Sequence, residues 1–163
     1  MKSRRLKALA GTGWLLVAVV VGLLAYHYLS RPERPALRQA PVELERLAAD
    51  CRAGRATCSA GTESVRVDLA LGPGVPLMQP FPVRVSLRLP SAGRARQVLV
   101  DFRMIGMDMG RNEYRLTRAG DGTWQGVATL PVCTTGRSDW QAVVKVETAS
   151  GRRYRAVFPF EAE

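Results

Sequence analysis

Histidine occurs once in this chain, at position 27, and cysteine three times. Because His27 sits at the end of an apolar run, everything downstream must do without imidazole. That excludes a histidine-rich zinc site, a Ser-His-Asp triad and a Cys-His pair from the remainder of the protein. No two carboxylates have a spacing that suggests acid–base work, so no catalytic apparatus is read and the protein is expected not to be an enzyme. Cys-x-x-Cys is missing as well: Cys51 and Cys58 enclose six residues, which is not the spacing of redox folds. Lys and Arg outnumber Asp and Glu by 24 to 14. They are scattered, without aromatic interleaving or a basic helix, which speaks against a nucleic-acid partner and for a solvated basic surface near anionic lipid headgroups.

Of the net charge of +10, Lys2, Arg4, Arg5 and Lys7 stand before residue 8. Residues 8–29 then hold no Asp, Glu, Lys or Arg. As a helix this run would span about 33 Å, enough for a hydrocarbon core of roughly 30 Å. It closes on Tyr26, His27 and Tyr28, aromatics of the kind found at a membrane interface, and has no small-residue cleavage end. The expectation is a basic cytoplasmic start over 1–7 and an uncleaved transmembrane helix over 8–29. That makes an inner-membrane, single-pass protein with its C-terminal domain in the periplasm.

Residues 30–62 read as a linker. Pro32, Pro35 and Pro41 among arginines keep its start extended, and 42–50 suggests a short helix that needs Leu44, Leu47 and Ala48 to dock. Cys51 and Cys58 are expected to form a structural disulfide in an oxidising compartment, the alternative being a thiol pair that exchanges with a redox partner or carries metal. From residue 63 onward the pattern has a period of two. Val65, Val67, Leu69 and Leu71 alternate with polar or small residues, as do Val83, Val85, Leu87 and Leu89. Similar runs cover 97–103, 113–118, 123–130, 140–147 and 152–160, with turn signals such as Gly72-Pro-Gly74 and Gly120-Asp-Gly122 between them. The fold expected over 63–163 is all-β, a seven-stranded antiparallel immunoglobulin-like sandwich, with a small barrel as runner-up. Trp124, Trp140, Phe102, Phe158 and Phe160 would supply its largest core residues.

Between two of these runs stands Met104-Ile-Gly-Met-Asp-Met-Gly-Arg-Asn112. A thioether is neutral, polarisable and needs no deprotonation, so methionine suits Cu(I) better than zinc, magnesium or calcium. Met107 and Met109, two apart, point to one side if the loop is extended, and Gly106 and Gly110 would let the backbone turn so that Met104 joins them. Met104 continues the Val98, Val100, Phe102 face and belongs first to the core. Asp108, Arg111 and Asn112 can orient the loop by hydrogen bonds behind the sulfurs, or form a plain polar turn. Cys133 is either a thiolate ligand, a buried thiol or a partner of Cys51 or Cys58. Met78 is an outlying candidate, and gap-filling in the core is the alternative for all the methionines.

Met104-x-x-Met107-x-Met109-Gly110, Gly120-Asp-Gly-Thr-Trp124 and the Leu130-Pro-Val-Cys133 to Trp140 segment resemble the YtkA-like family and, more loosely, FixH-like proteins, over residues 64–160. The resemblance implies a small extracytoplasmic immunoglobulin-like domain, often membrane-anchored, linked to copper handling or to assembly of copper-containing respiratory oxidases. It carries the methionine pattern onto Met104, Met107 and Met109, and a later tryptophan onto Trp140. The domain departs from the pattern in having no histidine, which leaves thioether-bound Cu(I) or no metal. The function expected is thus a membrane-anchored Cu(I)-binding or copper-delivery accessory, with an oxidase or its assembly factors as partner. The alternative is a metal-free envelope interaction module.

Overall fold

The structure, a computed structural model, describes residues 17–26, 40–90, 93–132 and 136–163. The chain divides into two units, Met1–Arg38 and Gln39–Glu163. In the first, residues 17–26 are helical, with Val17, Leu23 and Leu24 exposed. Among the described residues no helix is long and apolar enough to cross a membrane. Residues 8–16 and 27–29 of the expected anchor, with His27 and the basic start, lie outside the described residues.

The second unit is built of strands: β1 (Val42–Leu44), β2 (Cys58–Gly61), β3 (Arg66–Leu71), β4 (Pro80–Arg88), β5 (Ala95–Met104), β6 (Glu113–Arg115), β7 (Thr117–Arg118), β8 (Thr123–Thr129), β9 (Asp139–Thr148) and β10 (Arg153–Glu161). They form two five-stranded sheets in the orders β1-β10-β9-β5-β6 and β2-β3-β4-β8-β7. Every pairing of these strands is antiparallel except that of β1 with β10. The inward residues of β5 (Val98, Val100, Phe102), β9 (Trp140, Ala142, Val144) and β10 (Tyr154, Ala156, Phe158, Phe160) face those of β3 and β4 in one continuous core. The Phe81 and Phe102 rings meet edge to face at 5.6 Å and so join the two sheets. Each large side chain buried there contributes roughly 1.5–3 kcal/mol.

The described strands number ten rather than seven, for two reasons. The expected run 113–118 breaks at Leu116, which is buried and donates its backbone N–H to Val98 O at 3.0 Å, so that β6 joins one sheet and β7 the other. The crossing relies on Gly126, where a Cβ would lie 2.8 Å from Leu116 Cδ2. The second reason lies upstream of residue 63. The helix expected over 42–50 is instead β1, followed by a bridge between Arg46 and Ala60. Two helical turns are marginal in water, whereas the edge of β10 offers ladder hydrogen bonds and a buried place for Leu44. The compact unit accordingly begins at Gln39.

Cys51 and Cys58 form the expected disulfide, with Cα atoms 5.7 Å apart. The loop they close ties the sheets together: Ala53 N donates to Pro159 O of β10, and Leu71 N of β3 donates to Ala53 O. A second tie is Tyr114 of β6, whose hydroxyl donates to Thr129 O at 2.7 Å and accepts from Thr129 N at 3.1 Å. Both ties make predictions for urea unfolding followed by tryptophan fluorescence. Tyr114→Phe leaves two backbone groups of Thr129 without that partner and is expected to cost about 1–3 kcal/mol; an unchanged midpoint would contradict this. Replacing both Cys51 and Cys58 by Ser is expected to cost about 2.5 kcal/mol through loop-closure entropy, and a variant as stable as the parent would show the bridge to be idle.

Candidate methionine cleft

Alternation along β5 decides what each side of this hairpin carries. Phe102 and Met104 point inward, Met104 being only 3% exposed, while Asp101 and Arg103 stand on the outer face. β5 runs antiparallel to β6 with Asp101 opposite Glu113. The loop between them turns at Gly106 (φ 77°) and Gly110 (φ 75°), in left-handed backbone that glycine adopts without a steric penalty. Asp108 Oδ1 accepts from Gly110 N at 2.9 Å, and Ile105 N donates to Asp139 O at 3.1 Å. Between the two glycines Met107 and Met109 are half-buried and packed against the core, while Asp108 is exposed.

Met104, Met107 and Met109 all line one cleft of about 690 Å³, together with Asp108, Gly110 and Arg111. Its opposite wall is a set of charges from the outer face of the sheet. Asp101 Oδ2 accepts from Arg103 Nε and Nη2 at 2.9 and 2.7 Å and from Lys145 Nζ at 2.9 Å. Lys145 Nζ also donates to Glu113 Oε2, and Arg111 Nη2 to Glu113 Oε1, each at 2.7 Å. The Glu113 carboxyl is held below the usual carboxylate range by the hydrogen bond from Arg111 and then by that from Lys145.

Asn112 does not line the cleft. Its backbone oxygen accepts from Phe102 N at 2.9 Å. Its Nδ2 is buried without a hydrogen-bond partner among the described residues, as is Nε1 of Trp140, the residue opposite Met104 on β9. Met78 lies in another loop, 64% exposed and with a positive φ of 58°. Cys133 lies outside the described residues. Asp101, Glu113 and Lys145 were not singled out by sequence reasoning. The available signal was the hairpin register: with the turn centred near residue 108, the outward Asp101 falls opposite Glu113, two like charges that need a cation between them.

Chemically, the Asp101 and Glu113 carboxylates are already engaged by Arg and Lys, and among the described residues no group of three His, Cys, Asp or Glu side chains can hold a metal ion. The methionines of the lining carry thioethers, which suit a soft monovalent cation better than a hard divalent one.

Comparison with known proteins adds little to this. No protein-family model and no curated protein matches the chain. Among solved structures, a single-substitution form of superoxide reductase (neelaredoxin) from Ignicoccus hospitalis is similar at 15% identity and a TM-score of 0.42, covering 60% of this chain and 79% of that one. A second structure of superoxide reductase (neelaredoxin) from the same organism is similar at 16% identity and a TM-score of 0.40, covering 60% and 80%. At that level neither carries an argument about function.

The Glu113 cluster predicts a pH dependence. A carboxyl whose pKa is depressed on folding adds stability above its unfolded value, about 4.3 for glutamate, and that stability is lost as pH falls through the folded pKa. The parent is therefore expected to lose urea resistance on acidification below that range, and Glu113→Gln to lose less. Equal acid slopes for the two proteins would remove Glu113 as a contributor.

Proposed function

We propose that the protein is a Cu(I)-binding or copper-delivery accessory, non-enzymatic, with Met107 and Met109 as ligands and Met104 and Cys133 in support. The observation that carries this reading is that three methionines line one cleft in which the Asp101 and Glu113 carboxylates are already tied up by Arg and Lys. Bound there, copper would be cargo held by neutral sulfur, with no proton released on binding to the thioethers.

The remaining parts of the proposal rest on the sequence. They are an anchor over residues 8–29 in the inner membrane, a periplasmic domain, and kinship with YtkA-like proteins that would make a copper-containing respiratory oxidase or its assembly factors the partner. The strand orders of the two sheets suit the immunoglobulin-like label, with β10, β9, β5 and β6 in one sheet and β3, β4, β8 and β7 in the other. A metal-free interaction module is the second reading, favoured by Ile105, 41% exposed where the hairpin loop leaves β5.

Competition for Cu(I) against a chromophoric chelator, under anaerobic conditions on the full chain in detergent, separates the two. Met107→Leu with Met109→Leu keeps the packing volume and is expected to weaken Cu(I) binding by at least about tenfold, or roughly 1.4 kcal/mol. Binding of undiminished strength in the double variant would sink the assignment, and a parent that fails to compete at all would favour the metal-free reading.

A further inference from the structure

The outer faces of the two sheets treat their charges differently. On the β1-β10-β9-β5-β6 face most basic side chains are paired with carboxylates, Arg96 with Glu147, Arg103 and Lys145 with Asp101, Arg111 and Lys145 with Glu113, and Arg155 with Glu43, while Arg115 of β6 is exposed without an ion pair among the described residues. On the β2-β3-β4-β8-β7 face three arginines point outward, Arg66 from β3 and Arg84 and Arg88 from β4, against a single aspartate, Asp68. Asp68 is already bonded to Arg66 Nε at 2.9 Å and to the Ser59 hydroxyl. Arg84 and Arg88 are exposed and form no ion pair among the described residues.

Arg88 moreover stands directly opposite Arg66 in the strand register. Like charges opposed across a ladder destabilise a sheet, so the arrangement is not explained by folding. Strand geometry sets Arg84 and Arg88 about 13 Å apart along β4, with Arg66 beside the second, which makes a broad cationic face in place of a point site. Beside them Val127 is 61% exposed, and Pro80 and Pro82 also face outward. Among the described residues no aromatic side chain points out from this sheet, since Phe81 and Trp124 are buried, and single-stranded nucleic acid would need such a stacking platform.

We propose that the outer face of the β2-β3-β4-β8-β7 sheet, through Arg66, Arg84 and Arg88, is a docking surface for anionic phospholipid headgroups. Charge complementarity favours that occupant, and Val127 with the two prolines supplies an apolar margin able to enter the headgroup layer. The proposal rests on the reading of residues 8–29 as a membrane anchor, which keeps a lipid surface within reach of the domain.

The full chain is incorporated into nanodiscs of phosphatidylcholine alone or with phosphatidylglycerol admixed, and arginine side chains are modified with phenylglyoxal and located by mass spectrometry. Modification of Arg84 and Arg88 is expected to fall about fivefold in the anionic discs and to recover in high salt, while Arg103 and Arg155 on the other face change little. Equal modification of Arg84 and Arg88 in both lipids would overturn the docking surface while leaving the anchor standing. A chain that does not enter nanodiscs overturns the anchor and the docking surface together.

Discussion

Phe102 is the contact on which the rest of the second unit depends. Its ring meets Phe81 at 5.6 Å across the core and Phe160 and Tyr114 at 5.9 Å each. Those four side chains come from β5, β4, β10 and β6, so one buried residue locks both sheets and the hairpin edge together. With Phe102 inward, the period of two leaves no choice for its neighbours: Met104 must end inside and Asp101 outside. The cleft is the place where these two consequences meet, at the end of β5 where the strand gives way to the methionine loop.

Charge then decides what that cleft can hold. Asp101 and Glu113 sit opposite one another with their side chains only 7% and 11% exposed, and Lys145 between them relieves a repulsion that would otherwise weaken the sheet. Carboxylates engaged in this way are poor ligands for a hard cation, since each would have to give up partners to coordinate it. Thioethers, being neutral and polarisable, suit a soft cation instead. On the outer face of the other sheet Arg66 is bonded to Asp68, while Arg84 and Arg88 of β4 are exposed without an ion pair among the described residues.

Much of this was legible because alternation is a local property. The runs around Val67, Val85, Val100, Val144 and Phe158 all became strands, and Met104 could be placed with the core from its step along the Val98, Val100, Phe102 face. The pairing of Cys51 with Cys58 was legible from a short loop of small residues. Residues 42–44 were not, because a helix and a strand are nearly equal choices for so short a segment until the edge of β10 is there to pair with. Leu116 was equally hidden: whether a strand continues in one sheet or crosses to the other depends on what lies beneath it, here Gly126.

By itself, the sequence determined the class of the fold, the inward and outward sides of its longer strands and the soft character of the donors between Met104 and Met109. Each of these follows from residue type and spacing over a few positions. Only the tertiary structure decided that Lys145 should join Asp101 and Glu113, 44 and 32 residues away, that the expected strand at 113–118 should divide between two sheets, and that Arg88 should stand opposite Arg66 on one outer face. Strand register and sheet order set these, and both arise from packing between segments distant in the chain.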